Sequence, residues 1–138
     1  MIITFSEKDI LSSKIVTPSW YRVIIEEVED KMSKDNTSTN SWLKGKILFN
    51  ADDGSTEFAN VPTPFLWMFN SKGAWAVVGL LKTMGFTVEA GKRADLSALV
   101  GKQVDAFIGN ELYNGAMQNK MTGMYREPRA DVSAKVTD

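Results

Sequence analysis

Trp42, Lys44, Lys46 and Leu48 stand at alternate positions of a run in which Leu43, Gly45, Ile47 and Phe49 are mostly apolar. Successive side chains of a β-strand point to opposite faces, so this pattern packs one face inward and leaves an indole and two ammonium groups on the other. A ring flanked by lysines offers a stacking surface to bases and positive charge to phosphates, which is what binding of a single-stranded nucleic acid requires. Solvated lysines beside an edge aromatic give the same pattern, so its meaning depends on the elements around it.

Other chemistries find little support. The 138 residues include no cysteine and no histidine, which removes disulfides, thiolate nucleophiles, the commonest zinc ligands and the usual base near neutral pH. Asp52-Asp53-Gly54 suggests a calcium loop, but the positions two and four before Asp53 are Ala51 and Phe49, so a turn is expected. Gly91-Lys92 has no glycine five positions before Gly91, and Arg93 stands where a phosphate loop needs Ser or Thr. Glu26 and Asp30 share one side of a strand and Glu27 and Glu29 the other, so they converge on a single metal only if the bulge helps. No catalytic residue, metal site or cofactor is expected, and the chain is read as a non-enzyme.

With 43% hydrophobic and 24% charged residues, the composition fits one globular domain with its own core. Residues 1–128 are expected to form it, and 129–138, a mixture of charged and small residues, to be a flexible tail. No apolar run approaches the ~18 residues of a membrane span, so a soluble, cytoplasmic protein is expected. The formal net charge of −1 argues against coating nucleic acid through bulk charge. Distribution matters more: from residue 31 to 50, Lys31, Lys34, Lys44 and Lys46 face Asp35 alone, so the concentrated basic block coincides with the loop and strand that hold Trp42.

Periodicity supplies the order of elements. Tyr21, Val23 and Ile25 alternate with Trp20, Arg22 and Ile24 in a first strand, and Val28 breaks that parity, which predicts a bulge near Glu26. A polar connection over 31–40 leads to a second strand over 41–50 and a turn at 52–55. A third extended region over 57–70 contains Pro62 and Pro64 and therefore belongs at an edge or resumes after a kink. Ala74, Val77, Val78, Leu81 and Met84 mark one stripe of a helix that Gly85 ends. A strand over 102–112, the turn at Asn114-Gly115 and a strand over 116–125 close the chain as a hairpin.

This order, with one helix between strands 3 and 4, fits a mainly β fold: a five-stranded OB-fold-like barrel. It also fits a meander sheet with one helix packed across it. An OB-fold binds along strands 2 and 3 and the loops joining strands 1 to 2 and 4 to 5. The residues expected to contact nucleic acid are accordingly Trp42, Trp67 and Tyr113 as rings and Lys34, Lys44, Lys46, Lys120 and Arg126 as cations.

The run from Trp20 to Lys34 resembles the opening strand of small bacteriophage OB-fold proteins that bind single-stranded DNA. Gly101-Lys102, Phe107-Ile108-Gly109, Tyr113-Asn114-Gly115, Gln118-Asn119 and Tyr125-Arg126 are similar to the closing hairpin of the same group. The resemblance spans roughly residues 18 to 128. It implies a protein that supports phage DNA replication or recombination in the host cytoplasm, partnered by single-stranded DNA and by phage or host replication and recombination proteins. The chain departs from bacterial single-strand-binding proteins, which end in an acidic tip, because Lys135 and Asp138 leave its end near neutral. The rival reading keeps the barrel as a protein-interaction or homo-oligomeric assembly module whose sticky surface is the methionine-rich last hairpin.

Overall fold

The computed structural model describes residues 1–32, 39–63, 68–70, 74–89 and 96–135. The alternation over Tyr21, Val23 and Ile25 drives strand β1 (Ser19–Met32), which pairs antiparallel with β2 (Thr39–Asn50) on one side and with β4 (Gln103–Tyr113) on the other. A short β3 (Met68–Asn70) joins the far edge of β2, and β5 (Ala116–Arg126) returns along β4 through a turn at Asn114-Gly115, both at positive φ. The sheet order is β3-β2-β1-β4-β5. Four long strands thus make an open antiparallel sheet with a three-residue strand at one edge. Of the expected five-stranded OB-fold-like barrel, the mainly β sheet is present, and among the described residues it is open, with β3 and β5 at opposite edges and unpaired with each other.

One face of the sheet holds the core. Tyr21, Val23 and Ile25 of β1, Leu43 and Ile47 of β2, Val104, Ala106 and Ile108 of β4 and Met121 of β5 pack with Val16, Val61 and Leu99. Helix α2 (Ala74–Thr83) lies between β3 and β4 in sequence, adds Leu80 and Leu81 to that core, and contacts both edge strands. Residues 60–63 run along β2, with Ile47 N–H donating to Val61 O at 2.9 Å and Thr63 N–H to Gly45 O at 2.9 Å, so Pro62 sits at an edge as its missing donor demands.

Two irregularities shape β1 and β2. The register skips Glu26 between Ile25 and Glu27, where the parity break places a bulge, and it skips Leu48 between the pairs Arg22↔Phe49 and Val23↔Ile47. The second shift corrects the core assignment of Phe49. It carries that ring, though buried, to the outer face beside Arg22, whose guanidinium carbon lies 5.0 Å from the ring centre. Gly45 meets Ile25 beside the first bulge, and a Cβ there would lie 2.3 Å from Ile24 O, so β1 and β2 approach closely only because glycine has none.

Two terminal segments add to the sheet. Ser6 caps helix α1 (Glu7–Ser13) in a capping box with Asp9, the backbone N–H of each donating to the other's side chain at 3.1 and 2.9 Å. Residues 129–135, expected as part of a flexible tail, bond to the body: Arg22 Nη2 donates to Arg129 O at 2.9 Å, and Lys135 N–H to Gly54 O at 2.8 Å.

Candidate nucleic-acid interface

β2 presents the predicted faces. Leu43, Gly45 and Ile47 are buried toward the core, whereas Trp42, Lys46 and Leu48 are half-buried and Lys44 is exposed on the opposite side. Across the β1 pairing, Trp42 stands opposite Glu29, Lys44 opposite Glu27 and Lys46 opposite Ile24. The structure therefore brings the indole and both ammonium groups onto one outer surface, but it brings carboxylates with them. Lys44 Nζ lies 2.8 Å from Glu29 Oε2, and Lys46 Nζ lies 3.9 Å from Glu26 Oε2. The Lys44 ammonium is held above its ordinary pKa, first by the hydrogen bond to Glu29 and then by the charges of Glu29 and Glu27. The bulge contributes directly, because the extra residue it inserts is Glu26.

The remaining expected contacts fall elsewhere. Lys34 and Trp67 lie outside the described residues. Tyr113 is 61% exposed at the β4–β5 tip. Lys120 of β5, opposite Gly109, has its ammonium 3.3 Å from Glu111 Oε2, and Gln118 and then Lys120 hold the Glu111 carboxyl below its ordinary pKa. From Ser19, paired with Ile108, to Glu29, paired with Trp42, β1 advances ten steps, about 33 Å at ~3.3 Å each. Tyr113 and Lys120 are thus at the end of the sheet opposite Trp42, and the two sets flank the outer face rather than forming one cluster.

Between them lies a group of which the sequence pattern named only Arg126, the last of the expected cations. Trp20 and Phe107, directly paired across β1 and β4, meet edge to face with centres 5.7 Å apart. The Arg126 guanidinium covers the Trp20 ring at 4.4 Å and is anchored by Asp52 at 2.7 Å and Asp105 at 3.4 Å. Asp105 is fully buried and also accepts from Nε of the buried Arg22. Trp20, Arg22 and Ile24 already share one parity in the sequence, as do Asp105 and Phe107. Their pairing requires the β1–β4 register, which periodicity does not supply.

Among the described residues no three His, Cys, Asp or Glu side chains are grouped to hold a metal ion. One hollow, about 420 Å³, is an open depression lined by Thr83, Met84, Lys102, Gln103 and Glu127 among others. No helix is long and apolar enough to cross a membrane among the described residues. No protein-family model and no curated protein matches this sequence.

Proposed function

We propose that this chain is a non-catalytic single-stranded-DNA-binding protein of OB-fold-like architecture, acting in the cytoplasm of a phage-infected host during DNA replication or recombination. The observation that carries the reading is the outer face of β2, where Trp42 sits beside Lys44 and Lys46 on the side of the sheet away from the core. The sheet order supports it, since β3-β2-β1-β4-β5 is the order of an OB barrel opened between its third and fifth strands, and α2 contacts both of those edges. Ion pairing does not disable the lysines. Exposed pairs of this kind contribute only ~0–1 kcal/mol each, so a phosphate can displace Glu29 or Glu26 at small cost. The outcome is modest affinity with a strong response to salt.

Fluorescence anisotropy of a labelled oligothymidine, titrated with the protein at low and at physiological salt, tests the proposal. Binding at low salt that weakens as salt rises is expected. Trp42→Ala should weaken it by the ~1–3 kcal/mol of one base stack while leaving the thermal unfolding curve in place. Unchanged anisotropy at low salt, with the protein folded, rejects the proposal and leaves the assembly-module reading.

A further inference from the structure

The middle of the outer face is covered by the segment that follows β5. Arg22, Phe49 and Asp105 stand side by side on the surface away from the core, yet they are only 6%, 8% and 0% exposed. After β5 ends beside Asp105, the chain crosses the sheet at their level. Arg129 O accepts from Arg22 Nη2 at 2.9 Å, and Lys135 N–H donates at 2.8 Å to Gly54 O, in the turn that follows β2. Gly54 permits the close approach, since a Cβ there would stand 2.3 Å from Ser133 O.

This strap runs between the two sets of candidate contacts. Trp42, Lys44 and Lys46 lie level with β1 residues from Glu29 to Ile24, the strap meets β1 at Arg22, and Lys120, opposite Gly109, lies past the Ser19 end. A single strand that touches both sets has to pass where the strap lies. The strap is lightly held: residues 127–131 and 133–135 are exposed, Val132 is half-buried, and the Arg129 guanidinium pairs with Asp131 of the strap itself at 2.9 Å. At Arg22 it supplies a neutral carbonyl, for which a phosphate oxygen is the stronger substitute.

Resting on the single-stranded-DNA reading above, we propose that residues 129–135 are a displaceable strap over a further phosphate site, Arg22, and that a strand long enough to span the outer face lifts it. A short oligonucleotide engages Trp42, Lys44 and Lys46 with the strap in place. A long one replaces Arg129 O at Arg22 with a phosphate oxygen and continues to Lys120 and Tyr113. Its apparent affinity scales with the fraction of molecules whose strap is open.

Hydrogen exchange of residues 130–135 in the full chain tests this, alone and at low salt with oligothymidines of about 4 and about 16 nucleotides, the span of site sizes on one OB-fold. The long oligomer is expected to speed exchange there severalfold and the short one to leave it unchanged. Lys135→Pro, which deletes the N–H bonded to Gly54 O, is compared with Lys135→Ala, which loses the same charge and keeps the donor. The proline variant should bind the long oligomer about twofold to tenfold more tightly than the alanine variant, the equivalent of one hydrogen bond. Lys135 is exposed and outside the core, so the unfolding curves of both variants should superimpose on the wild type. Exchange left unchanged or slowed by the bound long oligomer, exchange speeded as much by the short one, or equal affinity of the two variants overturns the strap and leaves the DNA reading intact. No binding of the long oligomer by the wild type rejects that reading, and the role of the strap with it.

Discussion

Asp105 has no solvent exposure yet carries the charge that holds two arginines, Arg22 at its Oδ1 and Arg126 at its Oδ2. Arg22 is itself only 6% exposed, so removing its carboxylate partner strands a cation where water cannot reach it. Asp105→Asn is expected to cost about 3–5 kcal/mol, read as a fall in the urea midpoint at constant slope. Asp52→Asn, which releases the exposed pair with Arg126, should cost less than ~1 kcal/mol. Tyr21 gives a pH-dependent counterpart. Its phenol donates to Thr17 O, and its pKa is pushed from 10.0 up to about 12, first by burial and then by the charges of Glu57 and Asp53. The unfolded chain therefore ionises first on raising the pH. The contribution of Tyr21 is whole below pH 10 and is lost as the pH climbs toward about 12. Tyr21→Phe, less stable near neutrality by ~1 kcal/mol for the lost hydrogen bond, should show a shallower decline across that interval in urea melts.

The pairing of β1 with β2 shows how far local pattern reaches. Alternation in β2 is legible because Leu43 and Ile47 must meet one core, and the bulge at Glu26 is legible because Val28 has to return to that core after two acidic residues. The skipped residue Leu48 leaves no such mark, since Leu48 and Phe49 are both apolar, and the ring of Phe49 reads as core when it belongs to the outer layer with Arg22. The capping box of α1 is written in Ser6 and Asp9, but the helix has only seven residues and no fully buried member, so apolar periodicity does not announce it. Gly45 carries the closest approach of the two strands. The atoms that a new Cβ would meet are backbone, Ile24 O and C, and backbone cannot rotate aside as a side chain would. Gly45→Ala is thus expected to lower stability by ~1–3 kcal/mol in thermal or urea unfolding, and, by moving β1 against β2, to disturb the spacing of Lys44 from Glu29.

At the scale of the whole molecule the sequence shows a basic block, and the fold sets carboxylates beside two of its lysines, Lys44 and Lys46. Residue order groups Lys44 and Lys46 apart from Glu26, Glu27 and Glu29, whereas antiparallel pairing places those carboxylates beside them. That cancellation could not be read from spacing, because it depends on which residue of β1 lies opposite which residue of β2. It also makes a prediction that a permanently basic groove would not. If DNA binds over Trp42, the glutamates compete with phosphates for the same ammonium groups, and removing their charge should strengthen binding. Glu26→Gln/Glu29→Gln is expected to raise oligothymidine affinity about threefold to tenfold at low salt, corresponding to releasing one or two exposed pairs of ~0.5 kcal/mol each and removing repulsion from phosphate. The plot of log affinity against log salt should steepen as well, since each cation freed for a phosphate adds up to about 0.7 to the slope for single strands. Anisotropy titrations of the variant and the wild type over a range of salt measure both quantities. Equal or weaker binding by the variant would place the DNA, if it binds, on a surface other than β2.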